Sequence, residues 1–472
     1  MTCSMPPPSA RAAGPVAHKF GGSSLATPEA IRGVADILLG RGEPRQLIVV
    51  SAMHGVTDAL IALCAQADAR DAGWPDAWHA LRQRHVDAAH ALLGARRDAA
   101  CGWLEVQFEE LRALLATLLP EGTPAEARTL LVQGLGEVFS ARLLTECLLE
   151  RGTDAAMLDA REVLVVTRDE MGVTVDWPAS RERFAGWLAA HAAPCAVATG
   201  FIARDEQGRA TTLGRNGSDY SAAIFAALAG SPELHIWTDV DGVLSADPRL
   251  VPEAEVLPAL SYSEACELAY FGARVLHPQT MSPAITHGIP IRIRNTFHPE
   301  HQGTLVSDAS NTTAPVRGVT AFDGLALVNV EGAGMIGVPG TAERVFGALR
   351  QARASVVMIS QGSSEHSICC VVQAADAERS VAALREAFAL ELQRGQIQRV
   401  TAEEGMTVLA LVGDGMSGTP GVAARLFSAL ARAGVNIRAI SSSEISPSTM
   451  TMDSSRPSGS VPPVAAGVCV PW

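Results

Sequence analysis

The chain has 472 residues, more than one ordinary hydrophobic core holds, so two or three domains are expected. Apolar residues make up 48% and charged residues 18%, a globular balance that excludes a disordered chain. The 37 basic and 50 acidic residues give a net charge of −13 without a Lys/Arg block, which argues against a nucleic-acid surface.

The first 15 residues are rich in Pro and Ala without a continuous apolar run, and read as a disordered tail, not a signal peptide. Residues 16–25 (V-A-H-K-F-G-G-S-S-L) read as a short strand, two glycines and small residues opening a helix. Residues 47–52 (L-I-V-V-S-A) have the unbroken apolar character of a buried parallel strand. Residues 57–118 are helical in pattern with a break at Trp74-Pro75, and Leu111, Leu115 and Leu118 share a core-facing stripe. Another helix covers 129–150 and carries Gly136 and Glu137. Strands and turns alternate from 194 to 250, so about 300 residues form an α/β domain with a mainly parallel sheet. Ligands of such sheets sit beyond the carboxyl ends of the strands, where most of the motifs fall. Residues 307–314 are polar and read as a linker. A repeat follows: Gly334-Met335 through Ile359-Ser360 matches Gly415-Met416 through Ile440-Ser441 at an offset of 81 residues. Each copy reads strand, glycine loop, amphipathic helix, strand, and a pair of such units is often a ligand-binding arrangement.

Nine cysteines lack C-x-x-C spacing, which supports neither a zinc site nor a disulfide framework and fits a reducing compartment such as the cytoplasm. No run of 18 apolar residues suggests a membrane span.

No Walker A sequence is present. In K-F-G-G-S-S, Gly21 and Gly22 let backbone N–H groups approach an anion, and Lys19 can neutralise a transferring phosphoryl group. The bland alternative is a tight turn with a surface lysine. In Gly214-Arg215-Asn216-Gly217-Ser218-Asp219-Tyr220, Arg215 has the fork that grips a carboxylate. Helix capping explains one Ser or Asp there, but not the whole run. The cluster Thr238-Asp239-Val240-Asp241-Gly242, followed by Asp247-Pro248-Arg249, is a turn whose spacing does not fit an EF-hand loop. Two G-x-G-x-x-G matches, Gly332–Gly337 and Gly413–Gly418, read as loops of the repeat and not as dinucleotide sites.

The segments K-F-G-G-S-S-L, T-G-F-I, T-T-L-G-R-N-G-S-D-Y-S-A-A, W-T-D-V-D-G-V, A-D-P-R, F-G-A-R-V-L-H-P and Q-G-S-S-E run in an order that resembles the aspartate kinase family, nearest the kinase half of bifunctional aspartate kinase–homoserine dehydrogenases. The resemblance spans about residues 16 to 441. It implies an α/β amino-acid kinase fold, an αβα sandwich with a mainly parallel sheet, followed by α+β ACT-type repeats. The implied reaction moves the γ-phosphate of ATP to the β-carboxylate of L-aspartate, with Mg2+ bridging the phosphates. Lys19 and Asp219 would be catalytic; Ser51, Thr57, Glu137, Arg215 and Ser218 would hold aspartate. Gly21, Gly22, Ser23, Thr238, Asp239, Asp247, Arg249 and Arg274 would lie around ATP. Gln361, Ser363, Ser364 and Glu365 match the loop that takes an amino-acid effector such as threonine or lysine. A homo-oligomer without nucleic-acid or membrane partners is expected.

The expected domains are the catalytic one over 16–306, a first ACT-type repeat over 315–400 and a partial second over 401–441. Two departures stand out. Arg274 replaces the family's lysine, keeping charge but not geometry. After Ser441 the chain turns Ser/Pro-rich, and residues 442–472 are expected to form an aberrant tail that lacks the missing strand and helix, as a frameshift or truncation would leave it. Two alternatives follow: a kinase for another carboxylate such as acetylglutamate, or a catalytically impaired effector-binding or assembly protein.

Overall fold

The computed structural model describes residues 14–117, 125–169, 172–271, 277–308, 314–362, 366–416, 418–444 and 464–471. Its first twelve strands are Val16–Phe20 (β1), Gln46–Val50 (β2), Ala155–Leu158 (β3), Val165–Asp169 (β4), Gly172–Val175 (β5), Cys195–Thr199 (β6), Ile202–Asp205 (β7), Ala210–Thr212 (β8), Leu234–Thr238 (β9), Ala259–Ser261 (β10), Ile291–Asn295 (β11) and Thr304–Ser307 (β12). Eight of them form one sheet in the order β10-β12-β11-β9-β1-β2-β6-β3. From β11 to β3 every neighbouring pair is parallel, and β12 closes against β11 antiparallel. Every residue of β2 and β6 is buried, the condition that lets a parallel strand be apolar on both faces. A smaller sheet runs β5-β4-β7-β8.

Helices Val56–Asp68, Trp74–Leu92, Arg97–Ala116 and Leu135–Glu150 pack with β1, β2 and β9 into a core built around Phe20, Ile48, Phe108, Phe139 and Trp237. Trp74-Pro75 marks a break as expected, because Pro75 stands in the first turn of a new helix, where its missing N–H costs nothing. Leu111 and Leu115 are buried as predicted, while Leu118 lies outside the described residues. The helix expected over 129–150 is two helices, Ala125–Val132 and Leu135–Glu150, separated at Gln133-Gly134.

The chain divides into two compact units. The first is Met1–Val243, Pro258–Leu260 and Val275–Ser310; the second is Leu244–Leu257, Ser261–Arg274 and Asn311–Trp472. The single boundary expected near residue 306 is therefore replaced by a chain that enters the second unit early. The physical reason is backbone pairing inside that unit. Val319 N–H donates to Ser245 O at 2.8 Å, Thr320 Oγ1 to Phe271 O at 2.8 Å, and Asp414 N–H to Glu264 Oε1 at 3.0 Å.

The second unit is built on one antiparallel sheet of Gly318–Glu331 (β13), Val356–Gln361 (β14), Ser367–Gln373 (β15), Arg399–Gly413 (β16), Ala439–Glu444 (β17) and Val464–Pro471 (β18), ordered β14-β15-β13-β16-β18-β17. The repeat seen in the sequence is the two-fold pattern of this order. Both central strands are long enough to serve both copies. Leu325–Glu331 of β13 pairs with Arg399–Met406 of β16 in the first copy, and Gly318–Phe322 pairs with Val408–Val412 in the second. A register shift after Phe322, where Gly324 has φ +73°, separates the halves. Helix Tyr262–Tyr270, closed by a Ser261/Glu264 capping box, accompanies the second copy.

The tail corrects the sequence reading. The strand expected to be missing is β18, paired with β16 along Met406–Gly413 and with β17 along Ala439–Glu444. The Ser/Pro composition hid the run V-A-A-G-V-C-V at its end, which is apolar and β-branched enough to fill the gap between two open edges. Cys469 is fully buried there. The fourth strand of the second copy comes from β13, ahead of the first copy, so a tail search could not find it. The first glycine-rich match is indeed a loop: Gly332 and Gly334 lie against Gln396 and Ile397 between β13 and helix Thr341–Gln351. The second begins at Gly413, the last residue of β16, and includes Ser417, outside the described residues.

Candidate active site

Lys19 sits near the carboxyl end of β1, flanked on both sides by parallel strands, and its side chain is 11% exposed. A buried ammonium needs a counter-charge. Asp219 supplies it, with Nζ 2.7 Å from Oδ1. Asp219 lies in the first turn of helix Gly217–Ala229, whose N-cap is Asn216, held at φ 55° with no side-chain capping bond. Ser218 and Asp219 are thus not used as caps, and their side chains are available to the cleft. This settles the bland reading of that motif against capping.

The cleft has a volume of about 400 Å³ and is lined by Lys19, Gly22, Ser51, Thr57, Glu137, Arg215, Ser218 and Asp219, together with His54, Asp58, Phe201 and Asn216. It lies at the carboxyl ends of β1, β2 and β6. Ser51 follows β2 and donates its N–H to Phe20 O at 3.1 Å. His54 N–H reaches Gly22 O at 3.1 Å, joining the loop after β2 to the Gly-Gly turn. Gly55 at φ 76° turns the chain into helix Val56–Asp68 and sets Thr57 in its first turn. Gly200 and Phe201 follow β6; Phe201 holds φ 65°, a left-handed conformation uncommon outside glycine.

Glu137 stands in the first turn of helix Leu135–Glu150 and is 3% exposed. It accepts from the Ala52 backbone, while Oε2 is buried without a hydrogen-bond partner among the described residues. Burial pushes its pKa up to about 8, outweighing the backbone hydrogen bonds from Ala52 and from Glu137 itself. Once ionised, a buried carboxylate with an unused oxygen beside a polar cleft can receive a cation. Arg215 is exposed at the same cleft and makes no ion pair among the described residues. One wall therefore attracts an ammonium, another a carboxylate, and Lys19 marks where negative charge would be stabilised.

The remaining predicted residues are placed differently. Gly21, Ser23, Thr238 and Asp239 stand at the neighbouring ends of β1 and β9, where Gly21 N–H donates to Trp237 O at 3.3 Å. Thr238 Oγ1 is 3.2 Å from Asp239 Oδ1. Asp247 and Arg249 belong to the second unit and pair with each other, Nη2 to Oδ2 at 2.6 Å. Gln361 is exposed at the end of β14. Arg274, Ser363, Ser364 and Glu365 lie outside the described residues. Sequence reasoning missed His54, Asp58, Phe201 and Asn216 as cleft residues. The T-G-F and R-N-G motifs were visible, but the backbone angles that aim Phe201 and Asn216 were not.

A model of the amino acid kinase family matches residues 15–295, and an ACT domain model matches 328–388 and 409–453. Lysine-sensitive aspartokinase 3 of Escherichia coli is 33% identical over 423 residues, covering 88% of this chain and 90% of that protein. The chain belongs to the amino acid kinase family, among the aspartokinases. The chloroplastic bifunctional aspartokinase/homoserine dehydrogenase 2 of Arabidopsis thaliana is 41% identical over 432 residues, which is 90% of this chain and 47% of that protein. The chain thus spans about half the length of the bifunctional relatives it matches. The crystal structure of E. coli aspartokinase III with aspartate and ADP superposes with a TM-score of 0.74 at 29% identity, covering 97% and 96% of the two chains. The α/β amino-acid kinase fold with ACT-type repeats, expected from the motifs, is the fold of this chain. Among the described residues no helix is long and apolar enough to cross a membrane.

Proposed function

We propose that this chain phosphorylates the β-carboxylate of L-aspartate from Mg-ATP, giving 4-phospho-L-aspartate. The observation that carries the reading is the convergence of Glu137, Arg215 and the Lys19–Asp219 pair on one cleft. Aspartate offers an ammonium and two carboxylates. Glu137 would take the ammonium and Arg215 a carboxylate, with Ser51, Thr57 and Ser218 supplying hydroxyls. The second carboxylate is already a nucleophile, so no general base is needed. Phosphoryl transfer then asks for alignment and charge stabilisation, which Lys19 gives at the transferred group and Asp219 supports by fixing Lys19. The nucleotide would enter beside Gly21, Gly22, Ser23, Thr238 and Asp239, with Mg2+ carried on its phosphates as part of the substrate. Asp247, Arg249 and Arg274 are assigned to its outer contacts on the motif resemblance alone.

The paired repeats make this a regulated enzyme in the proposal, with an amino-acid effector near Gln361, Ser363, Ser364 and Glu365. The name of the E. coli relative makes lysine one candidate, and threonine is the other. A homo-oligomer is part of the same reading. Trapping the acyl phosphate as its hydroxamate tests it: purified chain with Mg-ATP should give product that requires L-aspartate. Product with acetylglutamate and none with aspartate would transfer the assignment to the other amino-acid kinase reading. Soluble, folded protein inactive on both would favour an effector-binding role.

A further inference from the structure

The loop after β9 and the loop after β11 meet at three side chains that the kinase reading does not use. Asp241 Oδ1 lies 3.1 Å from His298 Nδ1 and 3.5 Å from His301 Nδ1. One potential ligand atom from each of the three residues falls within 4.8 Å of the others. The two rings are 5.5 Å apart between centroids and turned toward one carboxylate oxygen. A simple ion pair needs only one of them.

The surroundings hold the three in place. Asn295, the last residue of β11, donates Nδ2 to Asp241 Oδ1 at 2.7 Å and accepts Phe297 N–H on Oδ1 at 2.9 Å. The H-x-x-H turn is closed by His301 N–H on His298 O at 3.1 Å, with Pro299 inside it. Arg294 Nη1 holds the same turn through Pro299 O and His301 O at 3.4 and 3.3 Å. The side chains of Asp241, His298 and His301 remain about one-third to one-half exposed, so an ion can reach them and solvent can complete its shell. A shared zinc ion would draw the ligand atoms to roughly 3.3 Å from one another, given metal–nitrogen bonds of about 2.0–2.1 Å. Half-exposed rings can make that movement.

We propose that Asp241, His298 and His301 form a binding site for a borderline divalent transition ion of the Zn2+ or Co2+ class. Two imidazoles and one carboxylate select such ions over Mg2+ and Ca2+, which prefer all-oxygen shells. Asn295 is the outer partner that orients the carboxylate. The ion would tie the Asp239–Asp241 loop to the 295–301 turn, and the proposal stands whether or not the cleft phosphorylates aspartate.

The test is Co2+ titration of the full chain, read by its visible absorption and by calorimetry, beside the double variant His298→Ala/His301→Ala. The native chain should bind one more equivalent than the variant, and His298→Ala alone should raise the Kd at least tenfold. Zn2+ should raise the melting temperature of the native chain more than that of the double variant, whose circular dichroism checks its fold. Equal Co2+ stoichiometry and affinity in the two proteins would overturn the site, whatever other cysteines and histidines bind.

Discussion

Lys19 Nζ and Asp219 Oδ1 lie 2.7 Å apart although 200 residues of sequence separate them, and each side chain is largely withdrawn from water. The pair fixes a positive charge at the end of the central strand before any substrate arrives. Removing a group that stabilises transition-state charge typically costs about 10²–10³ in kcat. Lys19→Ala should show a loss of that order. Asp219→Asn should lose less, mainly in kcat, because Lys19 keeps its charge but not its aim. Hydroxamate kinetics with near-native kcat in Lys19→Ala would remove the lysine from the reaction.

Arg215 lines the cleft without an ion-pair partner among the described residues. If it positions aspartate, Arg215→Ala should cost on the order of 10²-fold in kcat/KM for aspartate while the KM for ATP changes little. A change below a few fold, or an equal rise in both KM values, would place Arg215 outside the aspartate pocket.

Glu137 predicts a pH signature. Its pKa near 8 in the folded chain means that it is largely protonated at neutral pH, and binding an ammonium requires the carboxylate. Aspartate binding should therefore tighten as pH rises toward 8 and then level off. Stability carries the opposite sign. The folded pKa lies above the unfolded value, so this group's contribution is present at low pH and declines as pH climbs through about 8. Glu137→Gln should flatten both slopes. A KM for aspartate that is level between pH 6 and 8 in the native chain would contradict the assignment.

Gly136 marks a close approach behind the site. A Cβ there would lie 2.6 Å from Ala52 Cβ and 2.9 Å from Val56 Cγ1. Gly136→Ala should cost about 1–3 kcal/mol from overpacking. Because Ala52 follows Ser51, the variant should also raise the KM for aspartate. An unchanged melting temperature would show that the helix can slide away.

The strand at the end of the chain gives a prediction that the sequence reading would have denied. Cys469 is buried at the centre of the second copy, so Cys469→Asp places an unpaired charge in the core. The expected cost is about 3–5 kcal/mol, measured by urea unfolding. A midpoint equal to that of the native chain would mean that β18 does not hold the sheet.

The sequence made the lining of the candidate cleft legible because each motif is local. K-F-G-G and R-N-G-S-D each place candidate side chains within a few residues of a strand end or helix start, and such ends are where parallel sheets bind ligands. Glu137 was picked out by the family resemblance, but the burial that pushes its pKa up was not, since that depends on residues far away in the chain. Phe201 escaped because nothing in its residue type announces a left-handed backbone, while Asn216, a type enriched in that conformation, was quoted in the motif but not assigned to the cleft. The second repeat was misread because the Ser/Pro composition after Ser441 hid β18, and for a further reason. Periodicity locates copies along the chain, but it does not tell which strand closes which copy. Here the closing strand precedes both.

That arrangement has a consequence for how such a protein can be rebuilt. Because β13 and β16 each run through both copies, and Gly318–Phe322 completes the copy whose other strands come last, the second repeat does not correspond to a continuous stretch of chain. Recombination with a relative at the visible repeat boundary would cut through β16 and part Gly318–Phe322 from the strands it completes. The second copy can be exchanged whole only together with Gly318–Phe322 and with Tyr262–Tyr270, a helix that sequence order assigns to the catalytic half.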